Sequence, residues 1–431
     1  MWDLSSSKIA FGVLLFCAAT AVASSQEVSF TTLYSFCSQT NCADGSTPYA
    51  GMVQANDGSF LGTTYIGGTN NGGTVFRINV KGRLTTLYSF CSQTSCTDGS
   101  NPYAGLLRSH GNFYGTAETG GTAGEGTVFK ITPSGTLTVL HSFDGSDGFT
   151  PVAGLVQAAD GNFYGSTAGG ESGPNVSGTV FKITSKGKLT TLYSFCSRTN
   201  CTDGANPWGV LVQAKDGNFY GTTAAGGSHI CKTRGQQKIG CGTVFKITPK
   251  GKLTTLYNFC SQGGSECTDG TEPLAGLVEA SDGSFYGTTS GGGANADGTV
   301  FSITAKGKLA TLHSFDGADG ATPYAGLVLA NDGDLYGTTR LGGVNNGGAI
   351  FKITLAGTLT TLYSFCSQTN CTDGSFPQAA LVQATNGSFY GTTTAGGSAD
   401  SGTVFSLSVG SGFFVETLAA AGEVRTKVAA K

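Results

Sequence analysis

The chain has 431 residues, carries a net charge of −3, and only 12% of its residues are charged. That balance lacks the basic surface that nucleic acid or an anionic bilayer would need, so neither is expected as a partner and no membrane insertion is expected. With 69 glycines, two Met, two Trp and 39% hydrophobic residues, the composition describes turns and thin strands rather than helices, and a core only if sheets pack face to face.

The first segment reads as a signal peptide over residues 1–23. Lys8 precedes the apolar run Ile9–Val22, too short to span a bilayer, and Ala21-Val22-Ala23 supplies the small-x-small pattern for cleavage before Ser24. The expected location is secreted or cell envelope, with Cys17 lost alongside the signal.

After it, one unit recurs. In Gly276–Phe315 four β-type runs (Gly276–Ala280, Ser284–Thr289, Thr299–Thr304 and Lys308–Phe315) are separated by Ser-Asp-Gly, a Gly-rich loop and Ala-Lys-Gly, the pattern of a four-stranded antiparallel meander. Leu-Tyr-Ser-Phe or a variant begins at Leu33, Leu87, Leu140, Leu192, Leu256, Leu312 and Leu362, and each is followed by Asp-Gly-x-x-Pro with its Asp at 44, 98, 147, 203, 269, 319 and 373. A turn such as Asp57-Gly58 or His110-Gly111 then leads into a Phe-Tyr-Gly-Thr-Thr strand; Asp-Gly suggests a two-residue hairpin with both central residues at positive φ. Seven copies without helices predict an all-β fold, a seven-bladed β-propeller of four-stranded blades over residues 24–412.

The combination Tyr-Gly-Thr-Thr, Gly-Gly, Gly-Thr-Val-Phe-Lys-Ile-Thr and Leu-Thr-Thr-Leu-Tyr-Ser-Phe, recurring over Val28 to Ser408, resembles the tandem GloVer repeat of exported bacterial proteins. The resemblance implies an exported, variably anchored repeat protein and brings no assigned activity with it. Kelch and Trp-Asp propellers share the architecture, but the Trp repeated in those families is absent.

Meander geometry sorts the loops: the Cys-containing and Gly-rich loops share one face, and the short Asp-Gly and Lys-Gly turns share the other. Length varies on the first face, most in the insert Ser228–Cys241, and binding sites concentrate on such loops. The twelve remaining cysteines form local pairs, and disulfides are expected for Cys37/Cys42, Cys91/Cys96, Cys196/Cys201, Cys231/Cys241, Cys260/Cys267 and Cys366/Cys371. No metal site is expected, because adjacent pairs belong to different blades and no paired His completes a tetrahedral set.

The Asp of Asp-Gly-x-x-Pro reads as a turn residue capping its own backbone amides. The residue after the Pro changes from copy to copy: Tyr49, Tyr103, Val152, Trp208, Leu274, Tyr324 and Gln378. It stands where the innermost strand begins, so Tyr49, Tyr103, Trp208 and Tyr324 are the candidate ligand-binding residues, suited to stacking on sugar rings, with the insert overhanging one side. Catalytic residues are not indicated. His141 and His313 occupy the Tyr strand position, His110 a turn and His229 the insert, while Glu118, Glu171, Glu266, Asp297 and Asp400 are eligible carboxylates that nothing pairs. No cofactor is expected, and a monomer is.

Three roles follow, in order: a binding or adhesive module for a glycan or other extracellular partner, a passive envelope component, and a carbohydrate-active enzyme, glycosidase or lyase. At the end of the chain, Phe414–Lys431 resembles the truncated start of an Ig-like IPT/TIG domain through Gly422 and Thr426-Lys427-Val428, within a tail of residues 413–431. Glu27–Phe36 carries the outer-strand consensus without a sheet of its own and is expected to complete the seventh blade; Phe414–Leu418 is its rival.

Overall fold

The structure is a computed structural model. It describes residues 27–169, 177–231, 240–262 and 267–410, and the backbone alone of 415–420 and 423–428. The expected signal peptide lies outside the described residues.

The described chain forms seven four-stranded antiparallel sheets, as the repeats predict. After β1 (Val28–Ser35), the first blade consists of β2 (Val53–Gln54), β3 (Phe60–Thr64), β4 (Thr74–Ile78) and β5 (Leu84–Ser89), hydrogen-bonded in that order from the inside outwards. Five more blades repeat it. In the seventh, Val382–Gln383, Phe389–Thr393 and Thr403–Val409 supply the three inner strands, and β1 from the other end of the chain takes the outer place. The rival stretch Val415–Ala420 pairs instead with Glu423–Val428 as a separate two-stranded sheet. That hairpin belongs to a second compact unit, and residues 29–408 form the other.

Each blade is apolar on both faces, so the core lies between blades. Phe36, just beyond β1, is fully buried and packs edge-on against Phe76 of β4, with ring centroids 5.2 Å apart. The same pair recurs around the ring, from Phe90–Phe129 through Phe365–Phe405. A second contact places the Tyr of one blade's second strand against the Phe of the next: Tyr164–Phe219 and Tyr220–Phe285 stand 4.1 Å apart, and Tyr390–Phe60 at 4.2 Å closes the ring. The glycine after that Tyr is required by packing, since a Cβ on Gly221 would sit 2.7 Å from Phe245 Cζ.

Polar groups in these interfaces are paired. The hydroxyl two residues beyond the Tyr position donates to a carbonyl of the next blade's inner segment, as in Thr63 Oγ1 to Ala104 O (3.2 Å), Thr222 to Ala275 O (2.8 Å) and, across the chain ends, Thr392 to Ala50 O (3.1 Å). The residue before each Asp-Gly-x-x-Pro proline adds a backbone clip. Thr47 and Asn101 stand at φ 55° and 57°, and their N–H groups donate to Ser401 O and Gly72 O of the preceding blade at 2.8 and 2.7 Å. Left-handed backbone ahead of a proline is sparsely populated, so these bonds hold a conformation the dipeptide would not choose alone.

Two readings need correction. The inner strand is not a full run: Gly276–Ala280 contributes only Val278–Glu279 to the ladder, because the residues before it turn along the axis rather than pairing. The Asp-Gly turns are mostly not two-residue hairpins. Gly58 lies at φ 80° but Asp57 is not left-handed, and Ala55 N–H donates to Ser59 O across a three-residue loop, while Asp57 Oδ1 accepts from Ser59 N–H. Only His110-Gly111, in a loop shorter by one residue, has both residues at positive φ (47° and 75°).

The expectation of an all-β chain holds, and the second cysteine of four pairs ends a tight turn: Cys42, Cys96, Cys201 and Cys371 close Thr40–Cys42, Thr94–Cys96, Thr199–Cys201 and Thr369–Cys371, whose middle residues Asn41, Ser95, Asn200 and Asn370 stand at φ 55°, 57°, 59° and 57° and so are not helical. The reason is the short bridge. To bring two cysteines five residues apart together the chain must coil tightly, and i to i+3 bonds do this: the N–H groups of Cys42, Cys96, Cys201 and Cys371 donate to the carbonyls of Gln39, Gln93, Arg198 and Gln368, all at 3.0 Å. The same four cysteines stand at φ 51°, 53°, 53° and 51°, so each turn carries two successive residues in left-handed backbone and starts no helix.

Removing residues 27–36 leaves Phe76 and the third strand of the seventh blade without cover, so the truncated chain is expected to unfold or to oligomerise by strand exchange. Thermal denaturation and size-exclusion chromatography test this; a monomer with an unchanged melting temperature overturns β1 as the closing strand.

Candidate functional site

On one face the loop entering six of the seven blades is bonded to the Gly-rich loop of the same blade, through antiparallel bridges such as Ser46–Ile66, Ala205–Ala225 and Ala321–Leu341. This places the Cys loops and Gly-rich loops together, as the meander geometry requires. The six expected disulfides are formed: Cys37–Cys42, Cys91–Cys96, Cys196–Cys201, Cys260–Cys267 and Cys366–Cys371 each close a blade-entry loop, and Cys231–Cys241 closes the insert. Inside each Cys loop the Asp is the organising group: Asp98 is fully buried and accepts from Tyr88 Oη (2.7 Å), Ser92 N (2.9 Å), Ser92 Oγ (2.9 Å) and Gln93 N (3.2 Å). Burial alone would raise its pKa; the Tyr88 hydroxyl and the Ser92 donors outweigh it and hold the carboxyl below its usual range. In the two blades without cysteines a histidine replaces the tyrosine, and His141 Nε2 and His313 Nε2 lie 2.6 Å from Asp147 and Asp319. These histidines fill the strand position, as expected, and also anchor the loop.

All seven residues that follow the prolines converge on the axis. Tyr49, Tyr103, Val152, Trp208, Leu274, Tyr324 and Gln378 line one cavity of about 590 Å³ at the channel mouth. The four aromatics are half-buried. Tyr49 stacks on Tyr103 at 4.8 Å with an interplanar angle of 19°, and Trp208, two blades further on, meets Tyr103 edge-on at 5.7 Å. Tyr65, which repeat spacing did not single out because it lies at the end of a second strand, stands edge-on to Tyr49 at 5.2 Å. Tyr324 lies apart from this group, under the Arg340 guanidinium at 5.5 Å, which also covers Phe376 at 5.7 Å. The mouth thus holds an aromatic cluster around Tyr103, Tyr324 with Arg340 over its ring, and Glu272 on the lining. Around it neighbouring inner segments touch backbone to backbone; a Cβ on Gly276 would lie 2.5 Å from Val210 O.

Burial, and then the Glu118 carboxylate, push the Tyr65 phenol up to about 12; burial and the neighbouring Tyr49 raise Tyr103 further. Among the described residues no contact pairs Asp297 with Asp400. Glu171 and Glu266 lie outside the described residues. Asp400 accepts from Gly396 N–H at 2.7 Å, and Asp297, raised by burial and by Asp316 and Asp319, is not part of the mouth. The middle of the Ser228–Cys241 insert also lies outside the described residues. Its described ends place Cys231 and Cys241 against Cys260 and Cys267 of the next blade, which corrects the reading that pairs in different blades stay apart. Among the described residues no helix is long and apolar enough to cross a membrane.

Comparison with known proteins gives a family and a fold. The model of the Gloeobacter/Verrucomicrobia repeat matches residues 22–234, 158–267 and 230–427. No curated protein matches. Among solved structures, the extracellular domain of a B. thetaiotaomicron protein described as a hybrid two component system, BT4673, aligns with a TM-score of 0.56 at 11% identity, over 93% of this chain and 42% of that one. This chain thus spans less than half the length of that relative. A Bacteroides uniformis protein described as a 6-phosphogluconolactonase aligns with a TM-score of 0.48 at 18% identity, over 83% of this chain and 92% of that one.

Burial likewise lifts Tyr34, Tyr88, Tyr257 and Tyr363 up to about 12. A phenol that keeps its proton to about pH 12 in the fold but to about pH 10 in the unfolded chain stabilises the fold fully below pH 10, and that contribution fades as pH rises from about 10 to about 12. Melting temperature is expected to fall steeply across that window, with the tyrosinate absorbance appearing late; half-ionisation of all tyrosines near pH 10 in the folded protein contradicts it.

Proposed function

The chain belongs to the Gloeobacter/Verrucomicrobia repeat family, and from that premise we propose that it is an exported binding module that takes a glycan at the aromatic mouth of its propeller. One observation carries this reading: the seven equivalent positions that differ from copy to copy are the seven that meet around one cavity. Scaffold positions such as the interblade Phe pairs are repeated faithfully, whereas these seven positions around the cavity are not. Flat aromatic rings beside polar groups suit the apolar faces and hydroxyl rims of sugar rings. Six intraloop disulfides suit an oxidising compartment outside the cytoplasm.

The described carboxylates at the mouth, Glu272 on its lining and Glu118 against Tyr65, come from different blades with no observed contact between them, so we read recognition rather than glycoside cleavage. A passive envelope component would need no such divergence.

A glycan array on the mature protein is expected to give a defined class of hits. Replacing both Trp208 and Tyr324 by Ala is expected to weaken those hits by about 1–3 kcal/mol with a modest loss of fold stability. An array without hits removes the glycan. A double variant that is destabilised yet binds unchanged per folded molecule shows the rings to be packing and removes the site.

A further inference from the structure

Four sulfur atoms meet on the loop face where two blades join. The Sγ atoms of Cys231 and Cys241, from the fourth blade's insert, and of Cys260 and Cys267, from the fifth blade's Cys loop, all lie within 4.8 Å of one another. Local reasons bring them there. Cys241 occupies the position that is Gly72 in the first blade and Gly347 in the sixth, and a Cβ added at either would fall 2.8 Å from Cβ of the next blade's cysteine, Cys91 or Cys366. Any side chain at this position is therefore delivered onto the neighbouring blade's bridge, and here that side chain is a thiol. The insert supplies the partner Cys231. The receiving loop is also distinct: Cys260 and Cys267 are 7 residues apart, whereas the other four bridged Cys loops have a separation of 5.

The surroundings separate this cluster from the remaining pairs. Cys231, Cys241 and Cys267 are buried, at 5%, 1% and 7% exposure, whereas the eight cysteines of the other loops are half-buried. Four sulfurs on a tetrahedral zinc stand about 3.8 Å from one another, as Zn–S bonds of about 2.3 Å dictate, so sulfurs already within 4.8 Å need only small shifts to adopt that geometry. Thiolates are soft ligands, and a four-sulfur set selects zinc and similar ions over calcium or magnesium.

We propose that these four cysteines form a redox-gated metal site, two disulfides in the oxidised protein and one tetrahedral tetrathiolate centre for a zinc-type divalent ion in the reduced protein. The gating balances simply. Each disulfide takes two electrons and two protons from a dithiol reductant, which leaves as its own cyclic disulfide; the metal then replaces the four thiol protons, which pass to solvent. Once bound, the ion straps the fourth and fifth blades together on the face that carries the channel mouth, a link that two intraloop disulfides do not make.

The test uses the full chain, reduced with a dithiol that is then removed anaerobically, and titrated with Co²⁺ as the spectroscopic probe. The expected result is one Co²⁺ per chain with sulfur-to-cobalt charge-transfer and tetrahedral d–d bands, displaced by one equivalent of Zn²⁺, while the oxidised chain binds none. Cys241→Ser and Cys260→Ser are each expected to lower affinity at least tenfold, and the double variant Cys91→Ser/Cys96→Ser to bind as the parent does. Circular dichroism follows the fold throughout; if reduction loosens it, one equivalent of Zn²⁺ is expected to restore it. A reduced chain that takes up no Co²⁺, whether folded or not, overturns the proposal, as does binding unaffected by Cys241→Ser or lost equally in the Cys91/Cys96 variant.

Discussion

A sheet that is apolar on both faces has no stable existence until something covers both, and that constraint governs this molecule. Phe36, Phe90 and their equivalents, each nearly or fully inaccessible to solvent, close the outer strand of one blade but pack on the third strand of the next. Burying one such ring is worth several kcal/mol, by the about 3–5 kcal/mol that large-to-small core changes cost. Hydroxyl bonds such as Thr392 to Ala50 add direction to those apolar contacts, because a buried carbonyl left unpaired would be costly. Ring closure is then forced: each blade needs two neighbours, and only a cycle gives every blade two.

Closure from the N-terminal side has a consequence for order. The seventh blade is incomplete until β1 returns to it, so the first strand made is among the last to find its partner. Contacts such as the one joining residues 50 and 392 span nearly the whole ring, and loop-closure entropy sets them late in folding.

The architecture was legible because the repeat wrote it seven times: strand runs, turn dipeptides and Cys pairs each recur in register with the blades that form. What single residues do was less legible. The shortness of the inner strand follows from glycines crowding the axis, a contact between blades that no local pattern encodes. Asp-Gly did not reveal whether one or both residues turn left-handed, since that depends on the loop length set by the flanking ladder. The pairing of Cys42, Cys96, Cys201 and Cys371 was readable from spacing, but their left-handed tight turns were not, because a turn of three residues leaves no apolar periodicity to detect. Tyr65 was missed because repeat spacing did not mark its position, although it packs on Tyr49, and the meeting of Cys241 with Cys260 was excluded by treating separate blades as separate in space.

That last misreading shows how a repeat protein acquires specific sites. In a ring of near-identical sheets each position contacts both its own blade and the next, so a change in one copy creates an environment found nowhere else in the ring. A thiol in place of a glycine at position 241 touches a neighbour's bridge; an aromatic in place of Val152 or Gln378 would touch the ring at the mouth. Seven copies of one scaffold therefore tolerate divergence only where a side chain does not cover a neighbouring blade's core. The channel mouth and the loop junctions meet that condition, whereas the buried Phe and Thr positions do not, and for that reason the candidate mouth and the four-cysteine cluster share one face.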